Sequence, residues 1–416
     1  MKNDLRITEK DVLSSIINLK QLTFEVTDAC NLKCKYCSYG DLYVGYDRRK
    51  STFMTFEQGR IIIDYLIKIW EDHSNEVSCS RTYVSFYGGE PLLNMSFISQ
   101  IIEYIESLKI NREFIFSMTT NGVLLNLYMD FLVQKNVRLL ISLDGDKKCN
   151  SYRITPKGES SFEQIMQNIR LLQNKHPLYF EKYVNFNSVL NNRSDVDTIV
   201  EFFQNTFNKI PNISELNNSS INPNRWTEFK DIYRSKDESM VNSSYCKSHS
   251  EELLLVNPQT YNLAIFLHQH TGNAYNDYNH LITGGEKVAT TPTGTCIPFS
   301  KRMFINVNGK ILPCEKIGHK YALGQIHDNK VIINTKEIAQ YFNSLLDKVQ
   351  HQCLICAKRR SCSQCLFYIN DIDSTSPICQ GFMNKDDFDQ YASSCLEHLS
   401  KNPGLYKKIM TEVQID

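Results

Sequence analysis

The chain has no excess of either charge. Its 46 lysines and arginines stand against 46 aspartates and glutamates, so composition predicts no surface for nucleic acid or for an anionic membrane. It has no apolar run that could span a bilayer, since the greasiest helical stretch, Ile61 to Trp70, is interrupted by Asp64 and Lys68. The opening Met1-Lys2-Asn3-Asp4-Leu5-Arg6 lacks the apolar core of a signal peptide. Internal repeats and low-complexity tracts are not evident. These absences predict a soluble, cytoplasmic chain with neither nucleic acid nor membrane as partner, whose function must come from a site.

What is present is cysteine, 14 in 416 residues, in a chain whose 42% hydrophobic fraction suffices for a packed core. In a reducing compartment such a chain reads as metal-binding rather than as a disulfide framework. Cys30, Cys34 and Cys37 lie in Thr27-Asp28-Ala29-Cys30-Asn31-Leu32-Lys33-Cys34-Lys35-Tyr36-Cys37. This spacing brings three thiolates to one centre and leaves a fourth position without a ligand. Iron-sulfur clusters are usually held by four cysteines, so three imply an iron free to bind something that reacts. Structural zinc, or coincidence, also fits the spacing by itself.

From residue 20 to about 220, short β-branched and aromatic segments alternate with longer amphipathic ones. The expected strands are Leu22 to Val26, Tyr83 to Tyr87, Phe114 to Met118, Leu139 to Leu143, Tyr183 to Val189 and Ile213 to Leu216. Thr55 with Gln58 forms a capping box for a helix reaching Trp70, and Phe162, Ile165, Ile169 and Leu172 mark another helix over Ser161 to Lys175. Six strand-helix units in about 200 residues predict an α/β fold, a partial (β/α)6 TIM-like barrel rather than a closed eight-fold one. The expected division is an extension over 1–20, the barrel over 21–221, a polar bridge over 222–290 with Trp226, Phe229 and Tyr233 in helical register, a cysteine-rich domain over 291–400 and a tail over 401–416, helical from about 385.

In parallel α/β folds chemistry gathers at the C-terminal ends of strands. Cys30 follows the first strand, Gly88-Gly89-Glu90-Pro91 the second, Thr119-Thr120-Asn121-Gly122 the third, and Ser142-Leu143-Asp144-Gly145, with Arg153 beyond, the fourth. Each alone would pass as turn chemistry. At successive strand ends they offer the hydroxyl, carboxylate and guanidinium partners that a charged nucleotide needs.

A second group comprises Cys296, Cys314, Cys353, Cys356, Cys362, Cys365 and Cys379, with Cys395 beyond. The run Cys353-x2-Cys356-x5-Cys362-x2-Cys365 also fits a zinc knuckle. Phe304 to Cys314 reads as a hairpin turning at Asn308-Gly309. Cys79, Cys149 and Cys246 fit no cluster spacing and read as buried or idle thiols, and His268 and His270 are assigned no role.

The first cysteine loop, followed by Gly-Gly-Glu-Pro and the Ser-Leu-Asp-Gly strand end, resembles the radical S-adenosylmethionine (radical SAM) enzymes. The resemblance implies a [4Fe-4S] cluster on Cys30, Cys34 and Cys37, whose open iron chelates S-adenosylmethionine and cleaves it to a 5'-deoxyadenosyl radical. By the same resemblance Gly88, Gly89 and Glu90 hold the methionyl amino group, Ser142 and Arg153 its carboxylate, and Asp144 or Asn121 the ribose or its neighbours. Asn187 to Leu190 and Tyr36 lie near adenine.

The hairpin and the later cysteines resemble the SPASM domain of enzymes that modify peptides and proteins. That implies two auxiliary [4Fe-4S] clusters, one on Cys296, Cys314 and Cys365 and one on Cys353, Cys356, Cys362 and Cys379, with Cys395 a candidate for the missing fourth ligand. Family members more often have three residues between the last two knuckle cysteines, where Cys362 and Cys365 have two. Pro298 to Phe304, Gly318-His319 and Cys379 to Met383 resemble peptide maturases of Bacteroidales-type bacteria whose precursors have double-glycine leaders. The implied partners are a precursor peptide with its leader and a reductant such as flavodoxin or ferredoxin. Only about twenty residues precede the first strand, which predicts no separate leader-binding domain there. The alternatives are an anaerobic sulfatase-maturating enzyme, which usually has a further cysteine shortly after the first auxiliary one, and a zinc-stabilised scaffold without catalysis.

Overall fold

The computed structural model describes residues 6–218, 220–241, 243, 258–270, 293–359 and 362–412. Its contacts divide the described residues into two units, one formed by 10–235 with 297–335 and the other drawn from 1–9, 236–296 and 336–416. The expected domain over 291–400 is thus shared between them. Among the described residues no helix is long and apolar enough to cross a membrane.

The first unit holds six parallel strands in consecutive order: β1 (Gln21–Thr27), β2 (Arg81–Gly88), β3 (Glu113–Thr120), β4 (Arg138–Ser142), β5 (Val184–Val189) and β6 (Asn212–Ser214). A helix α1 (Glu9–Ile17) precedes them. The connections carry α2 (Phe56–Asp72), α3 (Met95–Ser107), α4 (Leu125–Gln134), α5 (Phe162–Lys175), α6 (Pro177–Tyr183) and α7 (Val196–Phe207). This is the expected partial barrel.

The period-2 alternation of a strand sorts its side chains onto two faces. Leu22, Phe24 and Val26 face the helices, where Phe24 meets Phe97 of α3 edge-on at 5.6 Å. The opposite face is polar. Gln21 Nε2 donates to Ser85 Oγ at 2.9 Å, and Ser85 and Ser117 share a 2.6 Å hydrogen bond across β2 and β3. A glycine sets the closeness of α2 to α3, because a Cβ on Gly59 would stand 2.6 Å from Ile101 Cδ1.

The capping box forms as expected, with Thr55 N donating to Gln58 Oε1 at 2.9 Å and Gln58 N to Thr55 Oγ1 at 3.4 Å. Strand ends shift by a residue or two, as β4 stops at Ser142 and β6 at Ser214, and one expected strand residue changes element. Tyr183 closes α6 instead of opening β5, because Pro177 pre-sets the first turn of a short helix that absorbs the aromatic residues. The polar bridge opens with α8 (Trp226–Ile232), on which Phe229 stacks between Trp226 and Tyr233.

Four more strands extend the same sheet past β1, in the order β10-β9-β8-β7-β1. β7 (Met303–Ile305) runs parallel to β1 and forms the expected hairpin with β8 (Lys310–Leu312), turning at Gly309 with φ of 79°. Asn306 Oδ1 accepts from the amides of Asn308 and Lys310 and tightens that turn. β9 (Gly324–His327) and β10 (Lys330–Ile333) form a second hairpin that the sequence reading did not anticipate.

In the second unit the helix Thr335–Ile355 carries Phe342, which packs edge-on to Phe367 at 5.5 Å. The helix Lys385–Lys401 is capped by Asn384, and with the helices Pro258–His270 and Gly404–Glu412 it buries Leu263, Leu267, Cys395, Leu405 and Ile409. Cys395 is 4% exposed within this apolar cluster and reads as core, not as a ligand. Cys246 and the side chains of His268 and His270 lie outside the described residues.

Candidate functional site

The cysteine loop leaves the end of β1 and is pinned before any thiol is considered. Asp28 accepts from the amides of Lys50 at 2.8 Å and Thr52 at 2.6 Å, holding the return of the loop against its start. Lys33 N donates to Ile154 O at 2.7 Å and Lys35 N to Tyr152 O at 3.1 Å, tying the middle of the loop to the segment after β4. Asn94, 8% exposed, donates to the carbonyls of Val26 and Met54 and locks both ends to the turn after β2. Asp28, Asn31 and Asn94 were not singled out in the sequence, where nothing local marks them.

The Gly-Gly-Glu-Pro turn docks directly on this loop. Gly89 N donates to Thr27 O at 2.8 Å and Glu90 N to Ala29 O at 2.9 Å. Only glycines fit there: a Cβ on Gly88, whose φ is 135°, would lie 2.2 Å from Thr27 O, and one on Gly89 would lie 2.0 Å from Ala29 O. Glu90 is 1% exposed, and its carboxylate accepts from Leu92 N, Thr120 Oγ1 and Asn121 N. Burial pushes its pKa up to about 7, opposed by those three donors. Asn121 Nδ2 donates to Asn31 Oδ1 at 2.7 Å, so the end of β3 also grips the loop.

At the end of β4, Asp144 is fully buried and accepts from Arg153 Nη2 at 2.9 Å, from Val189 N at 3.0 Å and from the Tyr36 hydroxyl. Its oxygens are occupied by protein, so it orients Arg153 and Tyr36. Burial raises the Tyr36 phenol well above its usual range. Arg153 is 6% exposed and held in its charged form by Asp144 against the cost of burial, yet its Nε has no partner. A buried donor without an acceptor is unfavourable, so this atom fits an anionic ligand. Ser142 and Asn187 face each other across β4 and β5, while Leu190 is fully buried beyond the end of β5.

Burial raises the thiols of Cys30 and Cys34 to about 11 and about 12, and like-charge repulsion among the three cysteines adds to the rise. Leu32 N lies 3.4 Å from Cys30 Sγ, and Arg49 Nη2 lies 3.4 Å from Cys37 Sγ. Among the described residues no three His, Cys, Asp or Glu side chains stand close enough to grip one metal ion. A cavity of about 560 Å3 opens beside the loop, lined by residues that follow Cys37, including Tyr39, Tyr43, Tyr46, Arg48 and Arg49.

In the second unit burial pushes Cys353 up to about 12, and the nearby thiols of Cys362, Cys379 and Cys356 add to the rise. Cys379 N donates to Gln352 Oε1 at 3.0 Å and Met383 N lies 3.4 Å from Cys356 Sγ. Cys365 is coupled to Cys296, and Leu366 N donates to Thr295 Oγ1 at 2.8 Å. Gly294 makes the approach possible, since a Cβ there would stand 2.6 Å from Cys362 O. Cys314 belongs to the barrel unit, after β8, where burial raises it to about 12. Cys149 is buried and Cys79 part-exposed.

Comparisons with known proteins agree with this arrangement. Residues 24–202 match the radical SAM superfamily and residues 296–366 the SPASM iron-sulfur cluster-binding domain. The radical SAM cyclopropyl synthase TigE of Paramaledivibacter caminithermalis is 29% identical over 51% of this chain and 43% of its own length. The cysteine-type anaerobic sulfatase-maturating enzyme of Clostridium novyi is 30% identical over 45% of this chain and 48% of its own. The chain therefore spans less than half the length of these two relatives. The solved structure of native anSMEcpe with bound AdoMet has the same fold, with a TM-score of 0.59 and 20% identity over 94% of this chain and all of that one. The matches set the zinc scaffold aside. Residues 24–202 thus form a radical SAM domain and residues 296–366 an SPASM domain, with iron-sulfur clusters and S-adenosylmethionine as their cofactors.

Proposed function

We propose that the chain is a cytoplasmic, anaerobic peptide maturase that takes hydrogen from a ribosomally made precursor peptide and installs a residue modification or crosslink, in the manner of the Bacteroidales-type double-glycine-leader maturases. The observation that carries this reading is the three-thiol loop at the end of β1, facing the unpartnered Nε of Arg153. Similarity to TigE, and a fold neighbour solved with AdoMet and the Cp18Cys peptide, support a peptide as substrate. When bound, the cluster and S-adenosylmethionine would supply a primary carbon radical.

The chain's own residues would bind and orient. Cys30, Cys34 and Cys37 would hold the cluster. Arg153, aimed by Asp144, would pair with the methionyl carboxylate beside Ser142, and the Gly88-Gly89 backbone, fixed by Glu90, would take the amino group. Asn121 would lie near the ribose, and Asn187, Leu190 and Tyr36 near adenine. Cys353, Cys356, Cys362 and Cys379 would hold one auxiliary cluster, and Cys296 and Cys365 would serve another. A flavodoxin or ferredoxin would supply electrons. Geometry then decides which substrate carbon reacts.

Identity to the Clostridium novyi enzyme favours sulfatase maturation as a second reading, although no cysteine lies between Cys296 and Cys314. The test offers the reconstituted enzyme two peptides, a precursor with a Gly-Gly leader encoded beside its gene and a sulfatase-derived cysteine peptide. A mass change confined to the leader peptide supports maturation. Formylglycine in the sulfatase peptide, with the precursor untouched, refutes it.

A further inference from the structure

Arg49 sits on the return of the cysteine loop with its charge only partly in water. Its Nη2 is 3.4 Å from Cys37 Sγ, its guanidinium stacks over Tyr39 at 4.5 Å from the ring centroid, and its Nε is buried with no partner. Among the described residues no carboxylate is paired with it. Of the two nearby carboxylates, Asp28 accepts from Lys50 and Thr52, while Glu25, 1% exposed, accepts from Val307 N and faces the Tyr39 hydroxyl, feeling the charge of Arg49 without an ion pair. A half-buried cation beside a thiol, with no carboxylate in direct ion-pair contact, is unfavourable in the cluster-free protein. It becomes favourable when negative charge arrives, as three thiolates and an iron-sulfur core would bring.

The other two thiols are served differently. Cys30 is approached by neutral donors, Leu32 N at 3.4 Å and Asn121 Nδ2 at 3.9 Å, and the cation nearest Cys34 is Arg153, which Asp144 already compensates. Of the three, Cys37 alone lies within hydrogen-bond distance of Arg49, whose charge also reaches Cys30.

We propose that Arg49 sets the reduction potential of the cluster on Cys30, Cys34 and Cys37, by donating to the Cys37 sulfur and bringing there a positive charge that no ion pair neutralises. The inference rests on the cluster assignment above. Cluster potentials respond to net charge, hydrogen bonds to sulfur and solvent exposure. Reduction adds one electron from an external low-potential donor and one negative charge to the cluster, which a neighbouring cation favours. Arg49 therefore raises the potential and makes the cluster easier to reduce, while the Tyr39 face keeps the guanidinium aimed at Cys37.

The experiment is a potentiometric titration of the reconstituted full-length protein with dithionite, followed by the EPR signal that changes when S-adenosylmethionine is added. At the wild-type midpoint, R49Q should show at least a tenfold lower ratio of reduced to oxidised cluster, a midpoint 59 mV lower for one electron. Iron content should match wild type, and R49K should fall between the two. Equal midpoints in wild type and R49Q overturn the inference. Should R49Q load no cluster, R49K decides alone: a midpoint below wild type supports it and an equal one overturns it. A wild-type protein with no signal responsive to S-adenosylmethionine would overturn the cluster assignment itself.

Discussion

The two cysteine-rich regions are held in different ways. Cys30, Cys34 and Cys37 share one loop that β1, the turn after β2, the end of β3 and the segment after β4 all grip through backbone and side-chain bonds that involve none of the thiols. Cys353 lies in the last turn of the helix Thr335–Ile355, but Cys356, Cys362 and Cys379 lie in an irregular stretch whose only described regular element between Ile355 and Lys385 is the 3-10 turn Leu366–Tyr368. The first site is preorganised, so metal there adds chemistry to a shape that already exists. In the second, little regular structure supports the thiols, so a cluster bound there is expected to supply much of the order.

The largest expected effect separates the regions by activity. Alanine at Cys30, Cys34 or Cys37 should abolish 5'-deoxyadenosine formation, read by chromatography, while iron bound by the tail remains. Alanine at Cys353 or Cys379 should leave some cofactor cleavage but lower the unfolding midpoint. Loss of tail iron in the loop variants would break the comparison.

Next comes order itself. Stripping iron with a chelator should raise hydrogen exchange at least tenfold for amides such as Ala357 and Cys379, and leave Lys33 and Lys35 protected, since their acceptors are barrel carbonyls. Equal loosening of both regions would contradict preorganisation.

Gly89→Ala should damage the first region by sterics alone. The new Cβ would lie 2.0 Å from Ala29 O, where the neighbour is backbone and cannot swing aside. A loss of about 3 kcal/mol or more in urea unfolding is expected, together with poor cluster loading at the loop.

A smaller effect is a pH slope. Burial raises Glu90 from 4.5 to about 7, so its ionisation opposes folding of the cofactor-free protein. Its favourable contribution is complete below about pH 4.5 and is lost as pH rises to about 7, a change of about 3 kcal/mol. Urea midpoints at pH 5 and pH 8 should show this loss in wild type and a flatter profile in Glu90→Gln. An unchanged slope in the variant would place the titration elsewhere.

Much of the preorganised region was legible in the sequence because its signals are local. The six parallel strands, the Thr55–Gln58 capping box and the Asn308-Gly309 turn all come from neighbouring residues, and all appear within a few positions of where the pattern put them. The β9–β10 hairpin escaped because each strand has only four residues, although Asp328-Asn329, both with positive φ, is a turn signal that could have found it. Tyr183 went to α6 because aromatic β-propensity yields to a helix start at Pro177. Arg49, Asp28 and Asn94 were invisible for a deeper reason. Their partners are set by folding the loop back on itself, and no spacing in the chain encodes that.

The central claim is that the β1 loop holds a cluster with one iron left open for the cofactor. Mössbauer and EPR spectra of anaerobically reconstituted protein, with and without S-adenosylmethionine, test it most directly. The account predicts a site-differentiated cubane whose spectrum shifts on addition of the cofactor, and the loss of that species alone when Cys34 is replaced by alanine. Spectra indifferent to S-adenosylmethionine, or unchanged by that replacement, would contradict it.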